Sequence, residues 1–254
     1  MQVLVCVKRV PAPGARIPLA ADGSEIDTRH LGFTISPHEE CAVEEAVRLV
    51  EAHGGSATAM TLGPPEATEQ VRAAIAIGCD AGVLVEAGTP DWDPQATASA
   101  LGDAIALLAE EGQRFDLVLF GNESADAAGA QVGVRVAHRL GWPIVSGIKG
   151  LEVADGHVSL RRDTARAVER YEVPLPAVVA VKEGLNLPRY PALKGRMRAR
   201  KAQVRTLPAE HRAGGLSRTL LRHPPEERTD TVMLGRGADA APRIVEILHE
   251  EGLT

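Results

Sequence analysis

The sequence predicts an α/β protein, a doubly wound and mostly parallel sheet, and three observations predict it. Short apolar runs rich in β-branched residues recur between residues 1 and 145. Each is followed by a segment with apolar residues at helical spacing, and turn residues separate the two. Strands that alternate in this way with helices of about 10–15 residues form parallel βαβ units.

Taken in order, Gln2, Val3, Leu4, Val5, Cys6 and Val7 read as a strand buried on both faces. A loop broken by Pro11, Pro13, Gly14 and Pro18, with an Asp22-Gly23 turn, follows it. Ser36-Pro37 starts a helix, with serine at the cap and proline at the first helical position. Val43, Ala46, Val47 and Val50 share its inner face, Glu44, Glu45, Arg48 and Glu51 are expected outside, and His53-Gly54-Gly55 ends it. Ala57 to Leu62 is the second strand. Gly63-Pro64-Pro65 leads into a helix with Val71, Ala74 and Ile75 on one side, and Val83 to Val85 is the third strand. Asp93-Pro94 caps a helix striped by Leu101, Ile105 and Leu108 and closed by Gly112. Asp116 to Phe120 is the fourth strand, and a helix is expected from about Ala127 to Leu140.

The pattern changes after Trp142-Pro143. Leu151 to Val153, an Asp155-Gly156 turn and His157 to Leu160 predict a hairpin. Val168 to Val173 and Ala177 to Val181 are further strands, which add antiparallel structure. From Asn186 the chain is basic and proline-rich, with little periodicity until Ile244, Val245 and Leu248 mark a last amphipathic helix. About 55 residues with so little structure of their own are unusual in a compact domain. The expected division is therefore an α/β domain over 1–190 and, over 191–254, an arm and helix that are ordered by lying on something else.

A net charge of −6 gives no global field toward nucleic acid or an anionic membrane. The basic run Lys194 to Lys201 has only Tyr190 near it as an aromatic, too few for stacking on single strands. Cys6, Cys41 and Cys79 have no metal spacing and read as reduced thiols. A strand so near the start leaves no room for a signal peptide, and no apolar run approaches the ~20 residues of a membrane span. A soluble, cytoplasmic protein is expected.

Open parallel sheets bind ligands beyond the carboxyl ends of their strands, where strand order reverses. The first and fourth strands should flank that point and end at Cys6 to Arg9 and Leu119 to Asn122. Ala127, Ala128, Gly129 and Ala130 then offer four residues with almost no side chain, which would let a phosphate approach helix amides. The same four are equally a tight helix start. Neither a GxGxxG nor a Walker loop is present. The first strand is followed by Lys8-Arg9-Val10-Pro11 rather than Ser-Gly-Gly. There is no His-x-Gly-His, no Gly-x-Ser-x-Gly and no histidine pair at metal-ligand spacing. No catalytic constellation and no metal site emerge.

Several separated motifs resemble those of electron transfer flavoprotein β subunits. They are Val3 to Pro11; Ser36-Pro37-His38-Glu39-Glu40 with the following Ala42-Val43-Glu44-Glu45-Ala46; Leu62-Gly63-Pro64; Ala74 to Asp80; Asp116 to Gly121; Leu175 to Val179; and Leu185-Asn186-Leu187-Pro188-Arg189-Tyr190. The resemblance covers about the first 205 residues. It implies a Rossmann-like sheet of the adenine nucleotide α-hydrolase type. It also implies an electron carrier without turnover of its own, paired with an α subunit that holds most of a redox-active FAD. The β subunit binds AMP structurally. By position, the implied pocket is Cys6, Ser36, Pro37, His38, Glu39, Leu62, Gly121, Asn122, Glu123, Ser124, Ala125, Asp126, Ala127, Ala128, Gly129, Ala130, Gln131 and Val132. Gln131 and Gly133 stand at the family's Gln-x-Gly. Leu185, Asn186, Pro188, Arg189 and Tyr190 match the loop that docks flavin-dependent dehydrogenases, with Leu185 as its anchor.

The departures are specific. The family's Gly-Lys-Gln-Ala-Ile-Asp-Asp-Asp is here Gly121 to Ala128, with two acidic positions lost. The acidic-Gly-Gly-x-Glu stretch is Asp163 to Glu169 without glycines, and Asp-Leu-Arg before the docking loop is Lys182-Glu183-Gly184. Ala130 to Gly133 resembles a branch that holds a second FAD in place of AMP and bifurcates electrons. A reading of another class, a stand-alone adenine-nucleotide sensor of the universal-stress type, lacks its glycine-rich phosphate loop here.

Overall fold

The computed structural model describes residues 1–14, 17–88, 92–212, 215–225 and 231–253. Positions 213, 214, 226–230 and 254 of the expected arm lie outside the described residues. The chain forms two compact units, Met1–Leu221 and Arg222–Thr254.

The first unit opens with β1 (Gln2–Cys6), a two-stranded antiparallel pair of β2 (Val10–Pro11) and β3 (Phe33–Thr34), and α1 (Pro37–His53). Then come β4 (Ser56–Gly63), α2 (Thr68–Ile77), β5 (Ala81–Glu86), α3 (Pro94–Glu110), β6 (Leu117–Gly121), α4 (Val132–Leu140) and β7 (Ile144–Ile148). A meander of β8 (Gly150–Ala154), β9 (His157–Asp163) and β10 (Val168–Pro174) precedes β11 (Ala177–Val181), α5 (Leu193–Lys201) and β12 (Val204–Pro208). The second unit holds α6 (Ala241–Glu250).

Seven strands pair in the order β12-β5-β4-β1-β6-β11-β7, and every ladder is parallel. Side chains alternate across it. Val3 and Val5 face a core with Val43, Ala46 and Val47 of α1 and Val71 and Ile75 of α2. Leu4 and Cys6 face the opposite core, with Leu101, Ile105 and Leu108 of α3 and Val136 of α4. That is why β1 is apolar without interruption: Val3, Leu4 and Val5 are all fully buried.

The helix punctuation expected from sequence is present. Ser36 is the N-cap of α1 with Pro37 in its first turn, and Gly54 closes it at φ 69°. Asp93 Oδ1 caps α3 by accepting from the Ala96 N–H at 2.7 Å. The hairpin turn has Asp155 and Gly156 both at positive φ, 50° and 74°, as the tight β8–β9 connection requires.

Five features differ from expectation. The helix expected from Ala127 begins at Val132, because Ala128 and Ala130 take positive φ (47° and 49°) and break the right-handed course. Glu44 and Glu45, expected outside, are 5% and 7% exposed, since the segment after β11 lies over that face of α1. An extra strand, β7, follows Trp142-Pro143 and forms one edge of the main sheet. The antiparallel strands do not join that sheet but form their own, in the order β10-β9-β8. The stretch after Asn186 contains α5 and β12, and β12 forms the other edge of the main sheet along β5.

Helix α5 owes its place to α2. Arg198 donates to the Ile75 and Cys79 carbonyls (2.7 and 3.1 Å), the free end of α2. In return Arg72 of α2 donates to the Ala199 and Ala202 carbonyls (2.6 and 3.0 Å) at the end of α5. Gly195 makes the approach possible, as a Cβ there would stand 2.2 Å from the Ala76 carbonyl oxygen. Gly195→Val is expected to destabilise the protein by about 1–3 kcal/mol through overpacking. Urea unfolding checks this, with faster amide exchange expected across residues 193–208.

Candidate functional site

The crossovers from β1 through α1 to β4 and through α2 to β5 build outward on one side of β1. The next crossover, through α3, returns the chain to the other side, where β6 pairs with β1. Strand order therefore reverses between β1 and β6, and the carboxyl ends of these two strands form the edge at which a ligand belongs.

Polar groups converge on that edge. Gly121 ends β6 against the start of α1, where a Cβ would stand 2.6 Å from Glu39 Cγ and 3.1 Å from its backbone nitrogen. Asn122 donates its N–H to the Val181 carbonyl (2.8 Å), which ties the loop to the end of β11. Ser36 Oγ accepts from the Ala125 N–H at 2.9 Å. Lys8, just past β1, holds Asp126 with both carboxylate oxygens at 2.7 Å and reaches Ser124 Oγ at 3.4 Å. His38 Nδ1 accepts from the Glu183 N–H at 2.6 Å. The ring proton then sits on Nε2, 3.6 Å from Glu123.

Glu39 is the buried charge of this edge, 6% exposed. Its carboxylate accepts from the Ser36 N–H at 3.0 Å, the returning half of a capping box. Burial pushes its carboxyl up to about 7, against the Ser36 and Lys8 backbone N–H groups and the Lys8 ammonium, which favour the anion. Cys6 is buried and its thiol is pushed far up by burial, so it packs as an apolar group in the core rather than standing ready as a nucleophile. Leu62 and Val132 pack against the same core cluster as Cys6.

Residues Ala125 to Gln131 are exposed. The loop passes the start of α3, where a Cβ on Gly129 would lie 4.0 Å from Pro94. Ala130 takes a positive φ of 49°, and Gln131 follows at φ −111°, ψ −30° as the residue before α4. The unpaired first-turn amides of α4 follow directly. A cavity of about 470 Å³ lined by Gln2, Ser56, Glu111 and Gln113 opens at the amino ends of the strands, the wrong edge for a switch-point ligand.

The structure thus brings together the expected Cys6, Ser36 to Glu39 and Gly121 to Asp126, with Leu62 and Val132 on the wall. Lys8 and Glu183 also belong to this network; a lysine directly after a central strand was the signal for the first. The expected docking residues divide. Leu185 packs on the core beside α1, and Asn186 and Arg189 hydrogen-bond to α1. Leu187 and Tyr190 are 91% and 94% exposed.

The sheet, its reversal and its loop edge define a Rossmann-like α/β protein. The chain belongs to the electron transfer flavoprotein β-subunit family. A family model described as the electron transfer flavoprotein domain matches residues 25–211. The chain is similar to the electron transfer flavoprotein subunit beta of Bacillus subtilis (strain 168), 34% identical over 231 residues that cover 86% of this chain and 87% of that one. The subunit beta of Syntrophomonas wolfei is 37% identical over 210 residues, 82% and 80% of the two chains. That of Mycobacterium leprae (strain TN) is 35% identical over 211 residues, 81% and 78%. Among the described residues no helix is long and apolar enough to cross a membrane.

The Glu39 carboxyl fixes a pH prediction. Its folded pKa is raised from 4.5 to about 7, so the stability tied to its protonated form is full below 4.5 and is lost as pH rises through 7. Glu39→Gln keeps an oxygen for the Ser36 N–H and removes the titration. Across pH 4.5 to 7 the wild type should lose up to about 3 kcal/mol relative to the variant, read by urea unfolding at each pH.

Proposed function

We propose that this chain is the β subunit of a heterodimeric electron transfer flavoprotein, that it holds AMP at the β1–β6 edge, and that it presents a docking surface to flavin-dependent dehydrogenases. The observation that carries the nucleotide reading is the loop Gly121 to Val132 at the strand-order reversal. Its side chains from Ala127 to Ala130 are methyl groups or hydrogen, so a phosphate can reach the backbone N–H groups of Gly129 to Gln131. The positive end of α4 stands behind them. Asp126, which would repel that phosphate, is neutralised by Lys8 at 2.7 Å. Cys6 and Leu62 supply an apolar wall for the adenine, and Ser36 and Glu39 fix the start of α1 beside it.

FAD, held mainly by the α partner, would supply the electron chemistry of the complex. This chain's own part is positional. Helix α6 has no buried residue in its own unit and half-exposes Ile244 and Val245, which suits an apolar face that packs on the α subunit. Leu185 seats the docking loop on the core, and Leu187, Tyr190, Leu193 and Met197, at 91%, 94%, 75% and 54% exposed, form the surface offered to the dehydrogenase.

Co-purification with the α subunit should give a yellow complex that releases one AMP for each FAD, identified by mass. Two FAD and no AMP would assign the pocket to the electron-bifurcating branch, to which Ala130 to Gly133 is similar. A stable, colourless chain that binds nucleotide without any partner would point to the sensor reading. Ala130→Asp places a carboxylate among the phosphate-facing amides and should weaken AMP binding at least about tenfold, measured by nucleotide retention in the purified complex.

A further inference from the structure

The segment that joins β11 to α5 displays large apolar side chains to solvent, yet it has little core of its own to hold it. Leu187 and Tyr190 are almost fully exposed, and Leu193 and Met197 follow on α5. Left to itself, a chain of this kind would fold its apolar groups back or sample many conformers, because ordering each residue costs conformational entropy. Polar anchors on α1 prevent this. Asn186 Nδ2 donates to the Cys41 carbonyl at 3.0 Å and to Glu45 at 2.8 Å. Arg189 forks between two glutamates about two helical turns apart. Its Nε and one terminal nitrogen reach the two oxygens of Glu44 at 2.9 and 3.0 Å, and its terminal nitrogens reach those of Glu51 at 2.6 and 2.9 Å. Its backbone N–H also donates to Glu44, at 3.1 Å. The Glu44 side chain is 6% exposed, and Arg189 is the only cation the structure gives it among the described residues.

The inward turns at Leu185-Asn186 and Pro188-Arg189 leave Leu187 and Tyr190 pointing outward. The bidentate geometry fixes both the distance and the rotation of the segment on α1, which a single ammonium contact would not do. At the far end, the exchange of carbonyl bonds between Arg72 and Arg198 fixes α5 on α2.

We propose that Arg189, through Glu44 and Glu51, is a positioning residue for dehydrogenase docking: by gripping α1 it holds the Leu187–Tyr190–Leu193 surface ready for binding. This rests on the docking reading above. A surface ordered before encounter spares the partner its ordering cost, so loosening it weakens association without altering electron transfer once docked.

The test uses the intact αβ complex with flavin-dependent dehydrogenases from the same host, each reduced by its own substrate. Arg189→Ala strands a buried carboxylate and can unfold the chain, so the informative variants are Arg189→Lys, which keeps the charge, and Glu51→Gln, which removes only the exposed carboxylate. Both should raise the KM for the complex about tenfold and leave kcat within about twofold, with Arg189→Gln more severe than Arg189→Lys. Amide exchange at residues 185–191 should quicken, while flavin reduction by dithionite, which needs no docking, stays unchanged. Leu187→Glu, Tyr190→Glu and Leu193→Glu serve as controls on the surface itself. If these raise KM while Arg189→Lys and Glu51→Gln loosen the segment without changing KM, docking stands and the positioning role is refuted. If the surface variants leave KM unchanged, the docking reading falls and this inference falls with it.

Discussion

The constraint on which this structure depends is the burial of β1 on both faces. Val3, Leu4 and Val5 have no exposed surface, because α1 and α2 cover one side of the sheet and α3 and α4 the other. A strand sealed in this way can present polar chemistry only at its ends. The chain turns polar with Lys8 as soon as β1 stops, and β6 does the same at Asn122. Charges excluded from the sheet therefore gather at the carboxyl edge, where strand order reverses and the crossovers leave a gap.

Helix α1 joins two regions of the chain. Its first turn faces the strand ends, with Ser36 holding Ala125 and Glu39 buried beneath Gly121. Its outer flank carries Glu44, Glu45 and Glu51, which hold the segment from Asn186 to Arg189. His38 links the two regions, since it accepts from Glu183 and faces Glu123. A buried carboxylate is costly unless paired, so the acidic flank of α1 and the basic residue that covers it must form together. The segment from Asn186 to Arg189 is in this sense part of the fold.

Much of this was legible in the chain. The parallel order, the caps at Ser36 and Asp93, the hairpin turn at Asp155-Gly156 and strand β11 all follow from local residue chemistry and from the period of apolar residues. Other features failed for physical reasons. Ala127 to Ala130 look helical because alanine favours helices, yet two of the alanines take positive φ in a loop that long-range contacts hold at Asn122, Ala125 and Asp126. Glu44 and Glu45 look like solvent residues because charge usually marks the outer face of a helix. Nothing near them in sequence announces a covering segment 145 residues away for Glu44 and 141 for Glu45. Strands β7 and β12 are edge strands whose short apolar runs differ little from loop.

The sequence by itself determined the alternation of strands and helices, the residues at which the central strands end, and the family, because these depend on local periodicity and on motifs kept in register. The tertiary structure alone decided which side chains meet at those strand ends and which way the segment from Leu185 to Tyr190 faces. Lys8 finds Asp126 and Arg189 finds Glu44 across 118 and 145 residues. Such pairings arise only when the sheet order and the packing of α1 bring distant parts of the chain together.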